Sequence, residues 1–288
     1  MHVSRTRRWA SLAAATVLTA AGVAATTSPV EAAPTWAPAD TATIHPGVQM
    51  YTEGAQCTAN FVHTDDAGNV YVGYAAHCAG TGEATDTNGC EAESLPLGTK
   101  VDFVEGGSLA SEGEVVGTGR LVYSSWLAMQ KAGTTDENAC SFNDFALVQV
   151  DPAFVEDVNP SVPFWGGPEA INTDGTESGE SVYSYGNSSL RGGIEELSPK
   201  QGSSLGTTAE GWNHAVLTLT PGIPGDSGSA FLDSEGNAVG TLSTLAVAPL
   251  TGSNGVGDYS RELAFAQDAS GIAGLALAPG TEPFSPML

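Results

Sequence analysis

The apolar residues of this chain come in short runs cut by turn signals, almost nowhere at the spacing of a helix. The first half holds Ala59–His63, Val70–Tyr74, Lys100–Val104, Glu114–Val122 and Phe145–Val150. The second half holds Ser181–Tyr185, Ala215–Leu219, Ser229–Leu232 and Val239–Leu245. Their β-branched and aromatic content suits strands. The turns come from 36 Gly and 16 Pro among 288 residues. Asp65-Asp66-Ala67-Gly68-Asn69 and Asp233-Ser234-Glu235-Gly236-Asn237 each lie between strand candidates and read as hairpin loops. Their acids do not complete a calcium-loop pattern. Many short strands joined by turns predict an all-β chain, built as barrels or a sandwich. Helical signal is confined to two segments: Trp126–Ala132, with Ser125 as its cap and Gly133 as its stop, and a stretch from Ser260 to about Gln267.

The organisation reads as leader, first half, linker and second half. Arg5, Arg7 and Arg8 precede an Ala-rich apolar stretch from Trp9 to Ala25, and small residues then offer cleavage after Ala25, Ala32 or Ala33. That order predicts a secretory signal peptide over residues 1–33 and hence a secreted, extracellular protein. A membrane anchor is the competing reading, but the stretch is short and broken by Thr and Ser. No later apolar run is long enough to span a bilayer, so no stable membrane association is expected. Residues 151–168 hold four prolines (Pro152, Pro160, Pro163 and Pro168) and predict an irregular linker between halves at 34–150 and 169–288. With 9 Lys+Arg against 33 Asp+Glu, the net charge of −24 excludes a generic nucleic-acid binder, which needs a basic face. An apolar share of 41% against 15% charged provides a core, so a folded chain is expected; separately, it is expected to be a monomer.

Export makes the cysteines informative. Cys57, Cys78, Cys90 and Cys140 are an even set, which suggests two disulfides among three possible pairings. Pairing neighbours gives Cys57–Cys78 and Cys90–Cys140. The absence of any C-x-x-C pair argues against zinc, so no metal is expected.

Three short motifs carry the chemistry: Ala75-Ala76-His77-Cys78, Asn143-Asp144-Phe145-Ala146-Leu147-Val148 and Pro224-Gly225-Asp226-Ser227-Gly228-Ser229. A serine hydroxyl is a poor nucleophile at neutral pH and needs a base within hydrogen-bond reach. Histidine suits that task because its ordinary pKa lies near neutrality, and a buried carboxylate fixes its tautomer. In this order the motifs resemble those of the trypsin/chymotrypsin-like serine peptidases, over about Ile44 to Gln267. The resemblance implies two six-stranded antiparallel β-barrels with a short C-terminal helix. It implies His77 as general base, Asp144 as its orienting acid and Ser227 as nucleophile, with the N–H groups of Gly225 and Ser227 as oxyanion hole. It also implies a Cys57–Cys78 bridge beside His77, a peptide or protein substrate, and no cofactor. The chain order His, Asp, Ser excludes the subtilisin order and that of the α/β-hydrolases. Asp102 competes with Asp144 for the acid's place, but only Asp144 has Ala146-Leu147 behind it.

Departures from the family narrow the specificity. Where trypsin-like members have an acid, this chain has Pro221, so a basic side chain would find no partner. Leu242-Ser243-Thr244-Leu245 resembles the substrate-pairing strand, with Ser243, Thr244 and Leu245 as substrate-binding candidates. Leu245 replaces the glycine of open-pocket members and predicts a preference for small or medium apolar residues. Gly257-Asp258-Tyr259 resembles the opposite pocket wall, although Asp258 is foreign to the pattern. No Arg/Lys-Ile-Val-Gly-Gly start exists to provide an α-amino partner for Asp226, and Arg191 is the expected substitute. A catalytically silent acidic binding protein on the same fold is the rival function, in which Thr244 and Leu245 block the substrate strand.

Overall fold

Strand pairing sorts the chain into two antiparallel sheets. The computed structural model describes residues 1, 34–82, 88–245 and 250–286. Apart from Met1, the leader expected at 1–33 lies outside the described residues. The first sheet is built from β1 (Gln49–Thr52), β2 (Ala55–Thr58), β3 (Val62–Thr64), β4 (Val70–Tyr74), β5 (Lys100–Glu105), β6 (Glu114–Ser124) and β7 (Ala146–Val150). The second is built from β8 (Ser181–Tyr185), β9 (Pro199–Thr208), β10 (Asn213–Thr218), β11 (Ala230–Leu232), β12 (Ala238–Leu245) and β13 (Asn254–Asp258). This second sheet is a closed six-stranded barrel in the order β10-β13-β12-β11-β8-β9. The all-β architecture expected from the sequence is therefore present.

The first sheet differs in detail from a closed six-stranded barrel. It has eight strands, because a late strand, β14 (Ala276–Leu277), returns from beyond the second sheet and pairs with β3. The order is β14-β3-β4-β7-β6-β5-β1-β2, and among the described residues no ladder joins β14 to β2. The tail thus belongs by pairing to the first half, unlike the division expected at 169–288. Between the halves, residues 151–168 are irregular apart from a two-turn 3-10 helix, Pro152–Asp157, and a parallel bridge from Val158 to Ile44.

Each sheet encloses its own apolar cluster. Met50, Val72, Tyr74, Val101 and Phe103 are buried in the first; Val182, Val216, Phe231, Leu242 and Val256 fill the second. A third cluster, with Phe61, Phe145, Trp165, Tyr183 and Tyr259, draws on both halves. Buried rings of this size carry much of the packing energy. Phe145 stands edge-on to Tyr259 at 6.0 Å between ring centroids, next to Asp144 in the chain.

Among the described residues, three short α-helices complete the fold: α1 (Ser125–Ala132), α2 (Glu137–Phe142) and α3 (Tyr259–Ala269). Gly133 ends α1 in a left-handed conformation, as its sequence predicts. The expected caps differ. Ser124 occupies the N-cap of α1, without a side-chain bond, and Asp258 rather than Ser260 caps α3 through Arg261 N. No described helix is long and apolar enough to cross a membrane.

Candidate active site

His77 lies in the single-turn helix Ala76–Ala79 just after β4. Its neighbour Cys78 is bridged to Cys57 on β2, which ties the turn to the adjoining hairpin. Asp144 comes just after α2, and Cys140 on that helix is bridged to Cys90. Both disulfides are therefore the neighbour pairs, and each braces a segment leading into the site. Ser125 holds the main chain on both sides of Asp144: its Oγ donates to Asn143 O at 2.7 Å and accepts from Phe145 N at 3.0 Å.

These braces bring two side chains into register. His77 Nδ1 is 2.6 Å from Asp144 Oδ2, and the His77 main-chain N–H donates to Oδ1 at 2.8 Å. Ser243 Oγ donates to Oδ2 at 2.5 Å. Asp144 is buried, whereas the His77 side chain keeps a quarter of its surface exposed. Burial pulls the imidazole down, but the facing carboxylate outweighs it and raises His77 above its ordinary value. Burial likewise disfavours the charged Asp144, yet His77 and the three donors hold its carboxyl below the usual range.

Ser227 shares a cleft of about 530 Å³ with His77, Gly225, Ser243, Thr244 and Leu245. Among the described residues its Oγ makes no hydrogen bond, and neither the Gly225 nor the Ser227 N–H has a partner. The loop is packed tightly against the turn that carries His77. Gly228 has φ +92°, and a Cβ there would lie 2.4 Å from Thr58 O and 3.0 Å from Ala75 N. A larger cavity of about 1000 Å³, between residues 36–45 and 281–285, contains none of the three motif residues.

Asp226 beside the serine is fully buried and points away into a cluster of cations. Arg191 Nη2 donates to its Oδ2 at 2.5 Å and also to Pro221 O at 3.0 Å. Lys200 Nζ stands 3.0 Å from the same oxygen as an ion pair without hydrogen-bond alignment. Burial, reinforced by Arg191, pulls the Lys200 ammonium below its usual value despite Asp226. Arg191 occupies the place expected for it. Lys200 is one of the six cations the sequence offers Asp226 beyond the leader, but nothing in its local sequence singles it out.

The other sequence candidates take different places. Asp102 pairs with Lys100 at 2.7 Å, away from His77. Pro221 does not line the cleft; Gly222 does. The side chain of Ser243 is committed to Asp144. Gly257, Asp258 and Tyr259 are not in the cleft wall: Asp258 caps α3 and pairs with His214 at 2.9 Å. The opposite wall is Asn254 instead. Buried on β13, it accepts from Gly222 N at 2.8 Å and donates to Gly222 O and Thr244 O, each at 3.2 Å. Its place is hidden in the sequence because Asn254-Gly255 reads as a turn pair. Cys57, His77 and Cys78 bring potential ligand atoms within 4.8 Å of one another, but both sulfurs are spent in the disulfide.

No family model matches the chain, and no curated protein does. Solved structures similar to it are bacterial serine proteases of the chymotrypsin type. Thermobifida fusca Protease A is 16% identical, with a TM-score of 0.49 over 82% of this chain and 99% of that one. Nocardiopsis Protease is 17% identical, with a TM-score of 0.46 over 81% and 98% of the two chains. Cellulomonas bogoriensis chymotrypsin is 17% identical, with a TM-score of 0.46 over 82% and 98%.

Proposed function

We propose that this chain is a secreted serine endopeptidase. The observation that carries the reading is His77, held through Nδ1 at 2.6 Å by a buried carboxylate, in one cleft with Ser227. Asp144 keeps the Nδ1 proton in place, which leaves Nε2 to take the proton of Ser227 as its Oγ attacks the peptide carbonyl. The unpaired N–H groups of Gly225 and Ser227 are available to the oxyanion that forms. The imidazolium then protonates the leaving amine; water next attacks the acyl-enzyme, giving its proton to Nε2, and the imidazolium returns that proton to Ser227 Oγ as the acid is released. The missing His77–Ser227 hydrogen bond is compatible with this, because such contacts often tighten only with substrate bound. The disulfides suit an extracellular setting.

For specificity, Asn254 ties Gly222 to Thr244 across the cleft and limits its depth. Among the described residues no carboxylate lines the cleft, which supports small or medium apolar side chains over basic ones. Labelling with a fluorophosphonate tests the reading. Modification of Ser227, abolished with peptide hydrolysis in a folded Ser227→Ala protein, is the expected result. An unlabelled chain without hydrolysis would favour the silent binding protein instead.

A further inference from the structure

Behind Asp144, on the side away from His77, lies a second carboxyl that the triad chemistry does not use. Glu262, one turn into α3, is completely buried. Its Oε1 accepts the Asp144 N–H at 3.1 Å, and its Oε2 lies 2.7 Å from Thr241 Oγ1. The second sheet makes room for it. A Cβ on Gly257 would lie 2.3 Å from Oε1 and 2.9 Å from Phe142 O.

We propose that Glu262 is a positioning residue, delivered by α3, that holds the Asp144 amide and so aims its carboxylate at His77. The inference rests on the peptidase reading above. Two consecutive peptide links, one on each side of Asp144, are then pinned by three hydrogen bonds. Ser125 holds Asn143 O and Phe145 N, and Glu262 takes the amide between them. Thr241 and Ser243 sit two positions apart on β12, one touching Glu262 and the other Asp144. The second barrel thus grips the acid both through its carboxylate and through its main chain.

The surroundings of this carboxyl disfavour its charged form. The titratable groups facing Glu262 are Asp144, Asp258, Tyr123 and Tyr259, none of them a cation. Arg261, the nearest cation along α3, lies over the Trp212 ring. Burial, with the Asp144 and Asp258 charges, raises the Glu262 carboxyl well above its ordinary value, against its hydrogen bonds to Thr241 and Asp144. Oε1 accepts the Asp144 N–H, and Oε2 accepts from the Thr241 hydroxyl.

Two variants test this by NMR of the His77 ring, which needs no turnover, and by kinetics. Glu262→Gln retains a carbonyl for the Asp144 N–H, and its amide can donate to the Thr241 hydroxyl, which is able to accept in turn. It should leave the His77 titration midpoint in place and kcat within about threefold of wild type. Glu262→Met removes the acceptor at similar volume. It should weaken the downfield Nδ1–H signal, lower the His77 midpoint by about half a pH unit, and cut kcat at least tenfold with KM unchanged. A folded Glu262→Met protein with the wild-type signal and midpoint overturns the proposal. So does a Glu262→Gln protein whose His77 midpoint falls, since that marks Glu262 as a charge rather than a clamp. Should Glu262→Met fail to fold, the Glu262→Gln titration decides alone. If even the wild-type chain cleaves no peptide, the peptidase reading fails while the ring titrations still judge Glu262.

Discussion

Asp144→Asn separates the two influences on His77, because it removes the charge that raises the imidazole and leaves the burial that lowers it. A drop in kcat of about 10⁴ at neutral pH is expected, as for a base held in the wrong tautomer. In the intact protein, activity should climb as pH passes the His77 midpoint, above the ordinary value of about 6.5. The same pair sets a window for stability. Asp144 has a depressed folded pKa, so its contribution is complete above the ordinary Asp value and is lost as pH falls through the depressed one. His77 is raised, so its contribution is complete below the ordinary His value and is lost as pH rises through the raised one. The urea midpoints of wild type and Asp144→Asn should therefore differ most near about pH 5, between the ordinary Asp and His values. A difference that keeps growing up to pH 8 contradicts the assignment. Asn254 offers a second test. Asn254→Ala should raise kcat/KM for Phe over Val substrates by deepening the cleft between Gly222 and Thr244. Leu245→Gly should shift that ratio less, because Leu245 is 52% exposed at the rim.

Helix α2, six residues long, matters because it sets the entry of the chain into Asp144. Asp136 caps it through Asn138 N and Ala139 N, and Cys140 bolts it to Cys90. Replacing both Cys90 and Cys140 by Ala opens a loop with a sequence separation of 50. On the chain-entropy relation this costs about 4 kcal/mol, against about 3 for the shorter Cys57–Cys78 loop. Guanidinium titration of the two double variants should show that order, and an equal loss would point to strain or denatured-state structure instead. The elements also show where sequence suffices. β4 and β8 have the bounds expected from their runs, because apolar residues between turn signals reveal a strand without help. β9 is hidden because Gly202, Ser203, Ser204, Gly206 and Thr207 give no apolar alternation, although a closed barrel needs that strand. β13 is masked by Asn254-Gly255, and α2 is too short for a period to emerge. At the site, His77, Asp144 and Ser227 stand in local motifs. Lys200, Asn254 and Glu262 do not, because each is defined by a distant partner: Asp226, Gly222 and Asp144.

Across the whole molecule, Asp226 draws its partners from within the second sheet and the loop beside it, Lys200 on β9 and Arg191 ahead of it. An extension placed before residue 34 should therefore leave kcat unchanged, whereas Arg191→Met should destabilise by about 3 kcal/mol by stripping a buried charge of one partner. A thermal melt of the variant at or above the wild-type temperature would show that Lys200 alone suffices. The acidic surface adds a longer-ranged effect. With a net charge of −24, the chain should approach cationic peptides faster at low salt, and kcat/KM for them should fall as ionic strength rises. The pairing of β14 with β3 has a consequence in time. Ala276 meets Thr64 and Leu277 meets His63, so the flank of the sheet leading to His77 waits for a segment more than 200 residues further along the chain. Contacts so far apart in sequence close late in folding. A nascent chain would emerge with β3 unpaired on one side and the Asp144 amide still unclamped, so the cleft takes its working shape only after Glu262 and β14 have followed.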